Sequence, residues 1–224
     1  MPELKLAVLI SGRGRTLLNL IQRKEKGELN INVRVVVANL EEAPGLQYAE
    51  KHNIPIEIVK RSEYAKEDVE GFSAEIFKIC RKYRVDYVVM AGFLCKLKIA
   101  EDFQNRVLNI HPSLIPSFCG DGYYGRQVHE AALKRGVKVS GCTVHFVDDV
   151  YDHGPIILQK TVPVLENDTT DTLSDRVLYD AEFVAYPEAL QLLSEERVTL
   201  RYDKLMRTTL VKILPPKDEE DAKE

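Results

Sequence analysis

Apolar residues in the first half of the chain come in short blocks that alternate with amphipathic ones. "LKLAVLI" (4–10) is uninterrupted, as a strand covered on both faces should be. "TLLNLIQRKEKG" (16–27) places its apolar residues at helical spacing, and Gly27 is a stop signal. "INVRVVVAN" (31–39) is β-branched and predicts a second strand. "PGLQYAEKHN" (44–53) predicts a helix with Pro44 in its first turn, and "IPIEIV" (54–59) a short third strand. A long helix is expected over 66–84, with apolar positions at 69, 72, 76, 77 and 80. Strands follow over 85–93 and 106–110. This alternation predicts an α/β fold: a mostly parallel twisted sheet with right-handed crossovers and helices on both faces.

From Gly120 the pattern changes. The glycine-rich loop "CGDGYYG" (119–125) leads into a helix over 126–136. Two strand-like runs, 139–147 and 154–164, flank the polar loop Asp148–His153 and predict a late antiparallel strand. One long helix is expected over 170–194, then a C-terminal hairpin within an extension over 196–214. Residues 215–224 read as an acidic, disordered tail.

Composition removes several function classes. Net charge over the 224 residues is −4, and the stretch Lys217–Glu224 alone carries two positive and five negative charges. The body is therefore close to neutral, with no electrostatic case for nucleic acid. The four cysteines (80, 95, 119 and 142) form no Cys-x-x-Cys pair, which argues against zinc and against a secreted disulfide framework. No apolar run reaches the ~20 residues of a membrane span, and the first residues lack the pattern of a signal peptide. A reduced, cytoplasmic compartment is expected, with no membrane partner.

Three segments carry candidate chemistry. Ser11-Gly-Arg-Gly-Arg-Thr16 joins the first strand to the first helix. Backbone N–H groups at such a helix start bind phosphate, and Arg13 and Arg15 add charge while Thr16 offers a hydroxyl and a candidate N-cap. A plain βα turn would use the same glycines. In Asn109-Ile-His-Pro-Ser-Leu-Ile-Pro116, strand alternation turns Asn109 and His111 to one side, and the prolines end the strand there. An amide donor and an imidazole at a strand's carboxyl end suit stabilisation of an oxyanion; a structural His-Pro turn is the alternative. The third segment, Asp148-Asp-Val-Tyr-Asp-His-Gly154, holds three carboxylates. It suits a solvated turn, or one Asp reaching His111 and raising its pKa. His129 and His145 read as packing or hydrogen-bonding residues.

In this order and context the segments resemble the folate-dependent glycinamide ribonucleotide formyltransferases of purine synthesis. The likeness covers about residues 5 to 195 and rests on "VLISGRGRTLLNLI", "VVMAGFLCKL", "VLNIHPSLIPSF", "GCTVHFVDDVYDHGPIILQKTVPV" and "AEFVAYPEAL". It implies one catalytic domain over residues 1–195, without the longer C-terminal module of the methionyl-tRNA enzymes or the regulatory domain of the deformylases. It also implies transfer of a formyl group from 10-formyltetrahydrofolate, a co-substrate, to the amine of glycinamide ribonucleotide, with no metal. By that resemblance Asn109 and protonated His111 hold the tetrahedral oxyanion. Asp152 keeps His111 charged and helps move the proton. Gly14, Arg15 and Thr16 hold the substrate phosphate and Glu182 the ribose. Lys66, Leu94, Cys95, Lys96, Leu97, Asn109, Val147, Asp148 and Asp149 form the folate site.

The alternatives are a related formyl-handling enzyme, such as a 10-formyltetrahydrofolate hydrolase or an amino-sugar nucleotide formyltransferase, and a non-catalytic nucleotide-binding module. A monomer or a homodimer fits equally. The chain also departs from the family's usual pattern. The loop Gly12-Arg-Gly-Arg-Thr16 replaces Gly-Asn-Gly-Ser-Asn, Cys95 stands where one branch has arginine, the 119–125 loop is longer, and Phe183 replaces a histidine.

Overall fold

Leu6, Val8 and Ile10 enter one layer of the core while Ala7 and Leu9, between them, enter the other. Both faces of this strand are covered, which is why its apolar run has no polar interruption. It is β1 (Leu4–Ile10) of a seven-stranded sheet in the computed structural model, which describes residues 3–216. The tail expected to be disordered lies outside the described residues from 217 onward. The other strands are β2 (Ile31–Ala38), β3 (Ile56–Ile58), β4 (Tyr87–Met90), β5 (Val107–His111), β6 (Val139–Phe146) and β7 (Ile156–Pro163). Their order is β3-β2-β1-β4-β5-β6-β7. The first five are parallel, and β6 and β7 are antiparallel to their neighbours.

The helices are α1 (Arg15–Glu25), α2 (Leu46–Lys51), α3 (Val69–Lys82), α4 (Arg126–Arg135), α5 (Thr170–Arg176) and α6 (Phe183–Ser194). Leu17 and Leu20 of α1 and Tyr186 and Leu190 of α6 fill the first layer; Phe72, Ile76 and Phe77 of α3 fill the second. Each such fully buried aliphatic or phenyl side chain stabilises the fold by ~1.5–3 kcal/mol. Among the described residues no helix is long and apolar enough to cross a membrane.

The sheet reverses its winding between β1 and β4, because the chain builds outward to β3 and then returns to β1's other side. In open α/β sheets a crevice forms at that point, beyond the carboxyl ends of the strands. Here the loops after β1 and β4 are tied across it: Ser11 N–H donates to Gly92 O (3.1 Å) and Leu94 N–H to Ser11 Oγ (3.0 Å). Gly92, at φ 77°, turns the chain out of the ladder, so β4 ends at Met90 rather than at 93. The buried hydroxyl of Tyr186 reaches the carbonyls of Met90 (3.2 Å) and Leu108 (3.0 Å), holding the ends of β4 and β5 together.

The single helix expected over 170–194 is three segments. A π-helical turn, Val177–Glu182, separates α5 from α6. Pro187 lies inside α6 and has no N–H for the carbonyl of Phe183, which takes Asn19 Nδ2–H of α1 instead (3.1 Å). Single π turns frequently mark functional sites, and this one ends on Glu182. The expected hairpin is present as β8 (Val198–Asp203) and β9 (Thr208–Ile213), with Val198, Leu200 and Val211 against the core.

Candidate active site

A cavity of about 420 Å³ opens at the switch point between β1 and β4. Residues Gly12–Thr16 and Met90–Cys95 line it from the tied loops, Asn109 and His111 from β5, and Glu182 from the π turn. A smaller cavity of about 40 Å³ adjoins it and shares Met90, Cys95, Asn109, Tyr151 and Asp152. The two meet at Asn109 and Asp152.

Strand β5 runs one residue further than expected and ends on His111. The antiparallel ladder sets Asn109 opposite His145 and His111 opposite Thr143. Each nitrogen of His111 faces an acceptor. Nε2–H donates to Phe118 O (2.8 Å), and Nδ1 lies 3.3 Å from Asp152 Oδ2. The carbonyl bond fixes the neutral tautomer, so a second proton on the ring must lie at Nδ1, beside the carboxylate. Phe118 holds φ 48°, rare for an aromatic residue, as it presents that carbonyl.

Of the three loop carboxylates, only Asp152 turns inward, with 9% of its side chain exposed against 36% for Asp148 and 49% for Asp149. Asp148 accepts from Val150 N–H (2.9 Å) and His153 Nδ1–H (2.8 Å), a turn-closing role. Asp149 pairs with Lys98 and accepts from Ile99 N–H (3.4 Å), pinning the loop to the segment after Leu97. Asp152 itself has φ 53° and accepts from Gly120 N–H (2.9 Å). Its other oxygen lies 3.5 Å from Asn109 Nδ2 and 3.7 Å from His145 Nε2. Asn109 Nδ2 is also 3.3 Å from His145 Nε2, and His145 Nδ1–H donates to Phe146 O (2.7 Å).

Burial pushes the Asp152 carboxyl up, but His145, His111 and the Gly120 N–H outweigh it and hold it below the usual carboxylate range. The carboxylate was expected to raise the pKa of His111. It does pull upward, as does the Phe118 carbonyl, yet desolvation is larger and leaves His111 below its ordinary value. Burial pushes Glu182 up to about 7, with Arg15 opposing.

Gly14, Arg15 and Thr16 lie together on the large cavity, and the N-cap differs from the expected one. The N-cap of α1 is Gly14, at φ 64° and without a side-chain cap, and Thr16 lies inside the helix. Gly14 must be glycine: a Cβ there would sit 2.7 Å from Gly45 Cα in the loop before α2. Arg15 faces Asp175 of α5 at 3.4 Å.

Leu94 and Cys95 line the large cavity, and Cys95, Lys96, Leu97, Val147, Asp148 and Asp149 line the small one. Lys66 lines neither; it is exposed in the segment before α3. The cation acting on Cys95 is Arg61, which together with Asn39 Nδ2–H (3.3 Å from Sγ) pulls the thiol down against a larger upward push from burial. Sequence patterns did not single out Gly45 or Phe118 for the site, and they marked Gly120 and Tyr151 only as parts of loops. They also left His129 and His145 outside the chemistry, and both border it. Their only signal is the register of β6 against β5 and the path of the loop, which are tertiary. Among the described residues no group of three or more His, Cys, Asp or Glu side chains is arranged to hold a metal ion.

Comparison with known proteins agrees with this geometry. The formyl transferase family model matches residues 4–190. A chloroplastic phosphoribosylglycinamide formyltransferase of Vigna unguiculata is 41% identical over 202 residues, covering 89% of this chain and 64% of that protein. The human trifunctional purine biosynthetic protein adenosine-3 is 40% identical over 198 residues, which are 88% of this chain and 19% of its own length. The chain thus spans just under two thirds of the first relative and about a fifth of the second. The crystal structure of glycinamide ribonucleotide transformylase 1 from Symbiobacterium toebii superimposes with a TM-score of 0.83 at 36% identity, covering 95% of this chain and 94% of that one. A likeness that spans nearly the whole described fold, sheet and site alike, places this chain in the formyl transferase family.

Proposed function

We propose that the chain transfers the formyl group of 10-formyltetrahydrofolate to the amine of 5′-phosphoribosylglycinamide, a step of purine synthesis. The observation that carries this reading is the Asn109–His111–Asp152 cluster where the large cavity meets the smaller recess beside it. The large cavity takes the ribonucleotide. Its phosphate meets Gly14, Arg15 and Thr16 at the uncapped start of α1, where the helix dipole and free N–H groups favour an anion. Glu182 accepts from the ribose hydroxyls. The walls from Leu94 to Leu97 and from Val147 to Asp149 take the pterin end of the folate beside this cluster, with the small cavity, too small to hold the whole molecule, as one recess of that surface. Lys66 is not assigned to it.

The amine nitrogen forms a bond to the formyl carbon, and the carbonyl oxygen takes the negative charge. Asn109 Nδ2–H donates to that oxygen, and its charge favours uptake of a proton at His111 Nδ1. A donor aimed at such an oxyanion lowers the barrier by ~3–4 kcal/mol. The Asp152–His111 pair receives the proton lost by the amine and returns one to the folate nitrogen as the carbon–nitrogen bond to folate breaks. The four cysteines, all free, support a reducing compartment such as the cytoplasm.

An absorbance assay of folate deformylation, with and without the ribonucleotide, tests the reading. Turnover that depends on the ribonucleotide is expected. Rapid formate release without any amine would instead identify a hydrolase.

A further inference from the structure

The loop between Phe118 and α4 has no part in the chemistry so far beyond its first two groups. It borders the large cavity, and Gly120 through Gly125 line it. Its ends are pinned: Gly120 N–H to Asp152 (2.9 Å), and Val128 N–H to Gly125 O (3.3 Å) as α4 begins. Gly120, Gly122 and Gly125 have φ of 91°, 84° and 52°, and a Cβ on any of them would meet nothing within 4 Å. Close packing therefore does not require these glycines. The backbone path does, since side chains rarely adopt such φ values. That path sets two consecutive aromatic residues, Tyr123 and Tyr124, at the same cavity. They are 39% and 52% exposed, and neither hydroxyl has a hydrogen-bond partner among the described residues.

Helix α5 shows which part of the cavity they face. Asp175 pairs with Arg15 at the start of α1, and Asp171 pairs with Arg126 at the start of α4. Residues four apart stand on one helix face, about 5–6 Å from each other. The starts of α1 and α4 are thus neighbours across a single turn of α5. Neither start has a side-chain cap, so two positive helix ends converge on this region. Beneath, on the second turn of α4, His129 is 3% exposed and its Nδ1 has no partner.

We infer that Tyr123 and Tyr124 are specificity-determining residues for the phosphomonoester of the amine substrate. Their hydroxyls donate to the phosphate from the side opposite Arg13 and Arg15, and their rings shield it from water. The inference rests on the reading of the large cavity as the ribonucleotide site and adds the element that closes it. It gives the length of this loop a purpose: the extra residues carry neutral donors to an anion already met by arginines and helix starts.

The test is the double variant Y123F/Y124F, compared with the wild type in initial-rate kinetics. A hydrogen bond to a charged group is worth enough that its loss should raise the KM for phosphoribosylglycinamide roughly tenfold or more. The kcat should stay within about twofold, and the KM for formyl folate should not move. Glycinamide riboside, which lacks the phosphate, should be used equally by variant and wild type. An unchanged KM for the phosphorylated substrate would overturn the inference, and so would an equal loss on the riboside. Absence of ribonucleotide-dependent turnover in the wild type would remove the functional reading and this inference together. Normal wild-type turnover with an indifferent variant would remove this inference alone.

Discussion

His111 shows how one side chain acquires a chemical role from its surroundings. Its burial favours the neutral ring; the Phe118 carbonyl and Asp152 favour the charged one. A group balanced in this way responds to a charge that forms beside it, which is what oxyanion stabilisation needs. His111→Ala and Asp152→Asn are each expected to lower kcat by ~10²-fold or more. Circular dichroism and melting should show the fold intact; turnover near the wild-type level in either variant would refute the assigned roles. Glu182 leads to a pH prediction. Its pKa stands raised at about 7, so it is protonated below that pH and a carboxylate above it. An acceptor for ribose hydroxyls works best as the carboxylate. The KM for the ribonucleotide should therefore fall between pH 6 and pH 8, and Glu182→Gln should flatten that change. A variant that keeps the full pH dependence would show that another group titrates.

At the scale of elements, the βα turn after β1 was legible as a glycine loop, but not its partner. Gly45 lies across from it, donates its N–H to Gly12 O (2.9 Å), and leaves no room for a Cβ: its nearest contacts would be Gly14 Cα at 2.7 Å and Gly14 N at 2.8 Å. These are backbone atoms, which cannot swing aside. Gly45→Ala is expected to destabilise the protein by about 1–3 kcal/mol and to raise the KM for the ribonucleotide by moving the loop. Thermal melting and kinetics check the two effects; a variant unchanged in both would show that the loops part freely. Nothing in the sequence pairs Gly45 with Gly14, because the contact is between loops of separate crossovers. The break in the last long helix was half legible. Pro187 marks a lost hydrogen bond, but no local signal marks the π turn before it, which carries Glu182 to the cavity.

For the whole molecule, the two cavities meet at one cluster. The proposed direct transfer requires both reactants to be bound there together. A sequential mechanism is expected, with intersecting lines in a two-substrate initial-rate matrix. Parallel lines would mean a formyl-enzyme intermediate and would contradict direct transfer. The amino-acid sequence by itself determined the α/β class, the alternation of strands and helices as far as β7, and the placing of Asn109 beside His111. Each of these follows from local periodicity and from prolines that end a strand. Strand alternation alone turns those two side chains to one side, whatever the rest of the chain does. Residue pattern left open which carboxylate reaches His111; the family resemblance named Asp152, and the tertiary structure gives the physical reason. Asp148, Asp149 and Asp152 lie within five residues, and only the docking of their loop against Lys98, Ile99 and Gly120 separates the two tied outward from the one turned in. It also decided that His145 borders the cluster and Lys66 does not. Register across a sheet and the path of a loop over a cavity depend on atoms far apart in the chain, and no local pattern records them.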